Sequence, residues 1–121
     1  MTRIYSLDII RNMSMYNINY NQTEKYSEMF KALSNPYRLK IFLYLATHCR
    51  PGELSTNDEM RYTVGELGED LEIAQSTVSH HLKELRQSGL IRMERKSKNV
   101  ECWVEQETLD FMTAFFEVTQ D

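Results

Sequence analysis

Residues 64–105 constrain the fold more than any other part of this 121-residue chain. Apolar residues recur there first at helical spacing and then in short runs typical of strands, and turn-forming residues separate these segments. The predicted elements are, in order, a helix that begins with a capping box at Thr63–Glu66, a turn at 72–74, a helix over 75–87 that ends at Ser88-Gly89, and strands over 90–96 and 100–105 around a turn at 97–99. The stretch is therefore expected to fold as two helices joined by a tight turn and followed by a hairpin.

The second helix of this stretch has two chemically different faces. Val78, Leu82 and Leu85 lie at positions i, i+4 and i+7 and form one apolar stripe. At about 100° per residue, the opposite face carries side chains that form hydrogen bonds, namely Ser76, Ser79, His80, Lys83 and Gln87. A surface helix that serves only solubility more often carries Glu/Lys pairs. Short hydrogen-bonding side chains instead suit a helix that approaches the edges of DNA bases.

This order of elements is that of a winged helix-turn-helix, in which one helix enters the major groove and a basic hairpin contacts the flanking phosphates. We therefore expect a mainly α fold with a small β-hairpin, and double-stranded DNA as the partner. The net charge of −4 is unusual for such a protein, but residues 80–98 hold six basic and two acidic side chains, a local charge of +4. A basic patch still attracts phosphate, because surface fields are screened beyond about 10 Å.

The chain before this stretch is predicted to form an arm and two helices. Residues 1–22 are expected to be an arm or a loose helix, because the Asn-rich run at 17–21 favours turns. A helix begins near Thr23, and Asn35 and Pro36 then provide the N-cap and first residue of the next helix. This second helix, over 37–48, is apolar on nearly all sides and is predicted to be buried. Residues 50–60 have the composition of a loop, and Arg61-Tyr62 could add a short strand beside the hairpin.

A last helix, opening at Glu107 or Thr108 and ending near residue 119, has more apolar surface than one chain is expected to cover. Its apolar residues form two stripes, so one can cover the core of its own domain while the other is left for a partner. A two-fold homodimer is the commonest arrangement, although both stripes could also pack within one chain. The residues expected at the dimer interface are Tyr26, Phe30, Leu109, Phe111, Met112, Phe115 and Phe116. Residues 23–121 are thus expected to form a winged helix-turn-helix domain with a C-terminal dimerisation helix.

Three segments of the chain resemble the ArsR-type winged helix-turn-helix repressors: residues 30–41 (FKALSNPYRLKI), 77–85 (TVSHHLKEL) and 88–91 (SGLI). The resemblance covers residues 24–105, and it implies a homodimeric repressor that leaves its operator when an inducer binds. The DNA-binding residues that it implies are Gln75, Ser76, Thr77, Ser79, His80 and Lys83 in the groove, and Arg95, Lys96 and Lys98 in the wing. His81 lies nearer the apolar stripe, which favours a role in packing or in positioning a phosphate.

The chain departs from the metal-sensing members of that family. Such members often carry two cysteines around one residue at the start of the helix before the recognition helix, where this chain has Thr63 and Gly65. Others place Asp and His ligands on the last helix, and residues 108–121 contain no His. His48, Cys49, His80, His81 and Cys102 show no metal-ligand spacing of the Cys-x-x-Cys or His-x-x-x-His kind. We therefore expect neither a metal nor another cofactor.

Other functions remain as alternatives to an inducer-controlled repressor. Cys49 and Cys102 could form a redox pair, although free cysteines are more often small buried apolar residues. A winged helix could also bind another protein through its aromatic last helix without specific DNA binding. No phosphate-binding glycine loop or Ser/His/Asp arrangement points to an enzyme. No apolar run approaches the roughly 20 residues of a membrane helix, so a cytoplasmic location is expected. The sequence does not identify the inducer, which could be a small molecule or an oxidant.

Overall fold

The computed structural model describes residues 20–48 and 61–117, which form five helices and a small sheet. In chain order the elements are α1 (Tyr20–Leu33), α2 (Pro36–Thr47), β1 (Tyr62–Thr63), α3 (Val64–Leu71), α4 (Gln75–Gln87), β2 (Arg92–Lys96), β3 (Asn99–Trp103) and α5 (Gln106–Glu117). Outside the described residues lie positions 1–19 of the arm predicted over 1–22, the predicted loop over 50–60, Cys49 and the predicted end of the last helix. Helix α1 begins at Tyr20, earlier than the Thr23 that we predicted. None of the described helices is long and apolar enough to cross a membrane.

The junction between α1 and α2 follows the predicted capping. The side-chain oxygen of Asn35 accepts hydrogen bonds from the backbone N–H groups of Tyr37 (2.9 Å) and Arg38 (3.1 Å). Pro36 occupies the first helical position, where its missing N–H group costs no helical hydrogen bond. Arg38 also donates from Nε to the carbonyl oxygen of Ala32 at 2.7 Å. The two helices are therefore held in a fixed relation by their connection.

The prediction that α2 is buried on nearly all sides is wrong. Ile41, Phe42 and Leu45 face the core, but Leu39 and Leu43 are 39% and 53% exposed. Helices α1 and α4 pack against α2, and the described part of the chain leaves Leu39 and Leu43 largely uncovered.

A tight turn joins α3 to α4. The hydroxyl of Thr63 accepts a hydrogen bond from the backbone of Glu66 at 3.1 Å, and the Glu66 carboxylate accepts one from the backbone of Thr63 at 2.8 Å, which confirms the capping box. Glu72 ends α3 in the left-handed region, with φ of 57°. Gly68 is buried in α3, where a β-carbon would lie 2.8 Å from the carbonyl oxygen of Ile73. Gly68 therefore allows α3 to approach the turn closely, since no other residue fits there without moving the turn.

The predicted hairpin is part of a three-stranded antiparallel sheet with the order β1-β3-β2. Strands β2 and β3 pair from Arg92↔Trp103 to Lys96↔Asn99, so only Ser97 and Lys98 form the turn. Ser97 has a positive φ of 59°, the conformation that tight hairpins require at this position. The short strand β1 pairs its Tyr62 with Cys102, which places the edge of the sheet against the helix-turn-helix.

The core lies where α1, α2 and α4 meet the sheet. Val78, Leu82 and Leu85, the stripe predicted on the second helix of the motif, are all 0% exposed. Leu90 and Ile91 continue this apolar surface from α4 into β2, after Gly89 reverses the chain with a φ of 84°. The helix-turn-helix and the hairpin are thus anchored on one core, which fixes the position of α4 relative to the wing.

Candidate nucleic-acid interface

Helix α4 presents a polar face to solvent directly opposite its buried stripe. The exposed side chains include Ser76, Ser79, His80 and Lys83, and Thr77 is half-buried. Because the buried stripe fixes the rotation of the helix, these side chains point away from the protein. This face carries the kinds of hydrogen-bonding groups that read base edges in a major groove.

The start of α4 is held by packing against α3 and not by a side-chain cap. Ala74 occupies the N-cap position and provides no capping hydrogen bond. The side chain of Gln75 lies alongside α3. A β-carbon added at Gly65 would lie 3.5 Å from the Nε2 atom of Gln75, and a β-carbon added at Gly68 would lie 3.4 Å from the Cγ atom of Gln75. Gln75 is therefore at the junction of the two helices, at the edge of the exposed face.

His81 packs inside the domain, one of the two roles considered from the sequence. It is 7% exposed, and its ring stacks on that of Tyr37 with a centroid distance of 5.9 Å and an interplanar angle of 12°. Its Nδ1 atom is buried without a hydrogen-bond partner among the described residues. Burial lowers the pKa of His81 below its usual 6.5, and the charges of Arg38 and His80 lower it further. His81 is therefore neutral in the folded protein at pH 7.

This lowered pKa predicts a loss of stability on mild acidification. In the unfolded chain, His81 takes up a proton near its ordinary pKa of about 6.5, whereas the folded chain takes it up only at lower pH. The contribution of neutral His81 to the free energy of unfolding is therefore complete above about pH 6.5. It is lost as the pH falls through the pKa of His81 in the folded chain. We expect the free energy of unfolding, measured by urea titration, to decrease between about pH 7 and 5.5. His81→Phe should remove this decrease and His80→Phe should keep it. An unchanged slope in His81→Phe would assign the effect to other groups.

The wing carries the predicted basic residues on its surface. Arg95, Lys96 and Lys98 are all exposed around the Ser97-Lys98 turn. They extend from the same core-anchored hairpin that follows α4. The wing is therefore placed to contact phosphates beside the groove that α4 would occupy.

Arg61 stabilises the base of the wing, and the sequence did not indicate this role. Glu94 and Glu101 lie directly opposite each other on β2 and β3, where like charges are unfavourable. The guanidinium of Arg61 is 2.6 Å from the Glu94 carboxylate and 3.5 Å from that of Glu101, and it lies 3.9 Å from the centre of the Trp103 ring. Only the register of the sheet reveals this cluster, because Arg61 is 40 residues from Glu101 along the chain.

Aromatic side chains of α1 and α5 pack together in one cluster. The Tyr26 and Phe111 rings stack at 4.1 Å, the Tyr26 hydroxyl donates to the Phe111 carbonyl at 2.6 Å, and Phe115 lies 5.0 Å from both Tyr26 and Phe30. Phe116 is 53% exposed, and no residue of α5 is fully buried. Leu109 and Met112 are half-buried against the core. Tyr26 is only 3% exposed, so it supports this cluster from below. We call the rings of Phe30, Phe115 and Phe116 the aromatic surface, with Tyr26 and Phe111 packed beneath it.

Cys102 is a buried structural thiol. It is 0% exposed in β3, and its Sγ atom donates to the carbonyl oxygen of Tyr62 at 3.2 Å. Burial raises its pKa to about 12, with further contributions from the carboxylates of Glu66 and Glu101. Because the thiolate is the reactive form, this environment opposes the redox role that the sequence left open for Cys102. Within residues 20–48 and 61–117, no three His, Cys, Asp or Glu side chains are grouped to hold a metal ion.

We expect Cys102 to resist alkylation in the folded protein. At about pH 8 its thiolate fraction should be about a thousandfold below that of an ordinary thiol. Iodoacetamide treatment followed by mass spectrometry of the Cys102 peptide measures this directly. The same peptide should react fully in guanidinium chloride, which serves as the control. Rapid modification under native conditions would contradict the burial of this thiol.

The fold and the exposed face of α4 define a winged helix-turn-helix transcriptional regulator. Residues 35–93 match the family model described as bacterial regulatory protein, arsR family. The HTH-type transcriptional regulator YbzH of Bacillus subtilis is 38% identical over 74 residues, which cover 59% of this chain and 74% of the relative. The chain belongs to the ArsR family of transcriptional regulators, as its resemblance predicted.

Two further relatives differ in the regulatory direction that their names give. The transcriptional repressor SmtB homolog of Synechocystis sp. is 27% identical over 94 residues, covering 78% of this chain and 62% of the relative. The transcriptional activator HlyU of Vibrio cholerae is 34% identical over 87 residues, covering 69% of each chain. A solved structure of HlyU from Vibrio cholerae has a TM-score of 0.60 at 25% identity, covering 83% of this chain and 97% of that chain. These similarities confirm the mainly α winged fold.

Proposed function

We propose that this protein is a homodimeric, sequence-specific DNA-binding repressor that leaves its operator in response to a signal. The observation that supports this most strongly is the two-sided construction of α4, with Val78, Leu82 and Leu85 fully buried and His80 and Lys83 exposed on the opposite side. A helix held this firmly can present its polar side chains to base edges with little loss of conformational freedom. This proposal includes no enzymatic activity, and the cytoplasm is the proposed location because the partner is chromosomal DNA.

The proposed dimer joins two chains through the aromatic surface. The exposed ring of Phe116 and the half-buried rings of Phe30 and Phe115 would be covered by the same surface of a second chain. Two α4 helices related by a two-fold axis would then bind half-sites about 34 Å apart on one side of the duplex. The domain assignment follows from this: a head that contains α4 and the wing, and a C-terminal dimerisation helix α5.

His80 and Lys83 provide the direct test of the DNA-binding face. Each replacement by alanine should weaken operator binding by about 1 to 3 kcal/mol if the side chain contacts a base. The operator is obtained by selecting bound sequences from a random duplex pool, and affinity is then measured by fluorescence anisotropy. Lys31→Ala is the matched control, because Lys31 is an exposed base on α1 and does not belong to the face of α4 under test. Equal affinities for the wild type, both α4 variants and the control would remove this face from the DNA-binding surface.

Salt dependence separates specific DNA binding from a winged helix that binds only proteins. If about six phosphates are neutralised per dimer, the logarithm of the association constant should fall with the logarithm of salt concentration with a slope of about −5. Removing one phosphate contact, as in Lys98→Ala, should reduce that slope by about 1. A protein-interaction module would give no defined selected sequence. Reporter expression in the presence and absence of the protein then distinguishes repression from activation.

A further inference from the structure

A cavity of about 540 Å³ lies between the DNA-reading head and the helices of the aromatic surface. Its walls come from α1, the end of α4 with the residues that follow it, the start of β2, and the first half of α5 with the residue before it. The residues that line it are Lys25, Met29, Arg86, Gly89, Ile91, Arg92, Met93, Glu105, Glu107, Thr108 and Phe111. Its size falls within the range of about 300 to 1,000 Å³ that is usual for small-molecule sites.

Four apolar side chains contribute to the lining of the cavity beside its polar and charged groups. Met29 and Ile91 are nearly fully buried beneath it, and Met93 and Phe111 are half-buried along its sides. Apolar contacts of this kind favour a ligand with a hydrocarbon or aromatic body, because its transfer from water is favourable by about 25 cal/mol per Å² of buried apolar surface.

Two cationic side chains at the rim have no carboxylate partner among residues 20–48 and 61–117. Lys25 comes from α1 and lies 4.5 Å above the ring of Phe111, and Arg86 comes from the last turn of α4. Arg92, the third base, is already paired with Glu105, with 3.2 Å between Nε and the carboxylate. Lys25 and Arg86 therefore supply the positive charge that is not neutralised at this rim, although Glu107 will oppose ligands of high negative charge.

We propose that this cavity binds a small organic anion with an apolar body, such as an aromatic or medium-chain aliphatic carboxylate. Lys25 and Arg86 bind the anionic group, and the half-buried side chains of Met93 and Phe111 contact the apolar body.

The position of the cavity gives the ligand access to both functional parts of the molecule. Arg86 is part of α4, and Arg92 and Met93 begin the strand that leads into the wing, whereas Lys25 and Phe111 belong to the helices of the proposed dimer. A ligand that fills the cavity would contact α4 and β2 on one side and α1 and α5 on the other. We expect this to change the spacing or orientation of the two α4 helices, and hence operator affinity. This regulatory role rests on the proposed DNA-binding function, whereas the binding site itself rests only on the cavity.

The site is tested without DNA by titrating the whole protein with 8-anilinonaphthalene-1-sulfonate, a fluorescent anion with an aromatic body. We expect one probe molecule to bind per chain. Lys25→Gln and Arg86→Gln should each weaken binding about five- to tenfold, since each removes one partly exposed charge interaction. Lys31→Gln, an exposed base on α1 outside the cavity, should bind the probe as the wild type does. N-phenyl-1-naphthylamine, the uncharged counterpart, should bind all four proteins equally.

Two results would overturn the site. Equal affinity of the sulfonate for the wild type, Lys25→Gln and Arg86→Gln would show that these bases do not bind the anion. Tighter binding of the uncharged probe than of the sulfonate by the wild type would show apolar adsorption, for example on the aromatic surface. Lys25 and Arg86 are exposed, so neither variant should unfold, and the melting temperature checks this.

The regulatory role is tested by measuring operator affinity with and without saturating sulfonate. We expect a change of at least about fivefold, which corresponds to a coupling free energy of about 1 kcal/mol. That change should be absent in the Lys25→Gln/Arg86→Gln double variant. Probe binding that leaves operator affinity unchanged would overturn the regulatory role. If the ligand-free protein selected no DNA sequence, the proposed function would fail, but the DNA-free titration would still decide the binding site.

Discussion

Phe116→Glu is expected to convert the protein from a dimer to a monomer and to lower operator affinity by about a hundredfold or more. Phe116 is 53% exposed in the single chain, so the substitution leaves the folded chain largely intact. In the proposed dimer the same position is covered, and an unpaired carboxylate buried there costs several kcal/mol. A monomer binds only one half-site, and losing the second linked contact reduces affinity by about 10² to 10⁴.

Leu43→Glu is the matched control for this substitution. Leu43 is a large apolar residue with the same exposed fraction of 53%, but it lies on α2, outside the aromatic surface. We expect the Leu43→Glu variant to remain dimeric in light scattering at micromolar concentration and to bind the operator as tightly as the wild type. A wild-type monomer, or a dimer that persists in Phe116→Glu, would contradict the aromatic surface as the interface. The melting temperatures of the two variants are also compared, because a difference between them would show that altered folding contributes to the change in operator affinity.

Gly68→Ala and Gly65→Ala are expected to change stability in opposite directions, although both lie on α3. A β-carbon at position 68 would lie 2.8 Å from the carbonyl oxygen of Ile73, a backbone atom that cannot rotate away. The turn between α3 and α4 must therefore shift, at a cost of about 3 kcal/mol in the free energy of unfolding. At position 65 the nearest atom is the Gln75 side-chain nitrogen at 3.5 Å, an ordinary contact, so alanine should gain up to about 1 kcal/mol of helix propensity.

Urea unfolding of both alanine variants measures this difference. The shift of the turn in Gly68→Ala also moves the start of α4, so operator affinity should decrease in the fraction that remains folded. Gly65→Ala should bind DNA as tightly as the wild type. Equal stability of the two variants would show that α3 and α4 do not approach closely at Gly68.

The sequence predicted those features that depend on local pattern. The apolar stripe of Val78, Leu82 and Leu85 identified α4, and the Thr63 capping box identified the start of α3. Residues three or four positions apart lie on the same face of a helix, and this spacing does not depend on the tertiary structure of the rest of the chain. The exposed face of α4 could therefore be assigned before its surroundings were known.

Features that depend on contacts between distant segments could not be predicted in this way. The pairing of β1 with β3 brings Arg61 between two glutamates, and nothing near Arg61 in the sequence indicates this. The exposure of Leu39 was missed because an apolar composition does not say how many elements will pack around a helix. The cavity beneath Lys25 and Arg86 is likewise formed by four separate segments.

The contact between Tyr26 and Phe111 has a consequence for how the protein is synthesised. The two residues are 85 positions apart, and the Tyr26 hydroxyl is hydrogen-bonded to the Phe111 backbone beneath the aromatic surface. On the ribosome, the helix-turn-helix and hairpin emerge before Phe111 does, whereas the surface proposed for pairing cannot form until α5 has left the exit tunnel. In a nascent chain, the helix-turn-helix and hairpin would therefore be synthesised before the surface proposed for pairing can form.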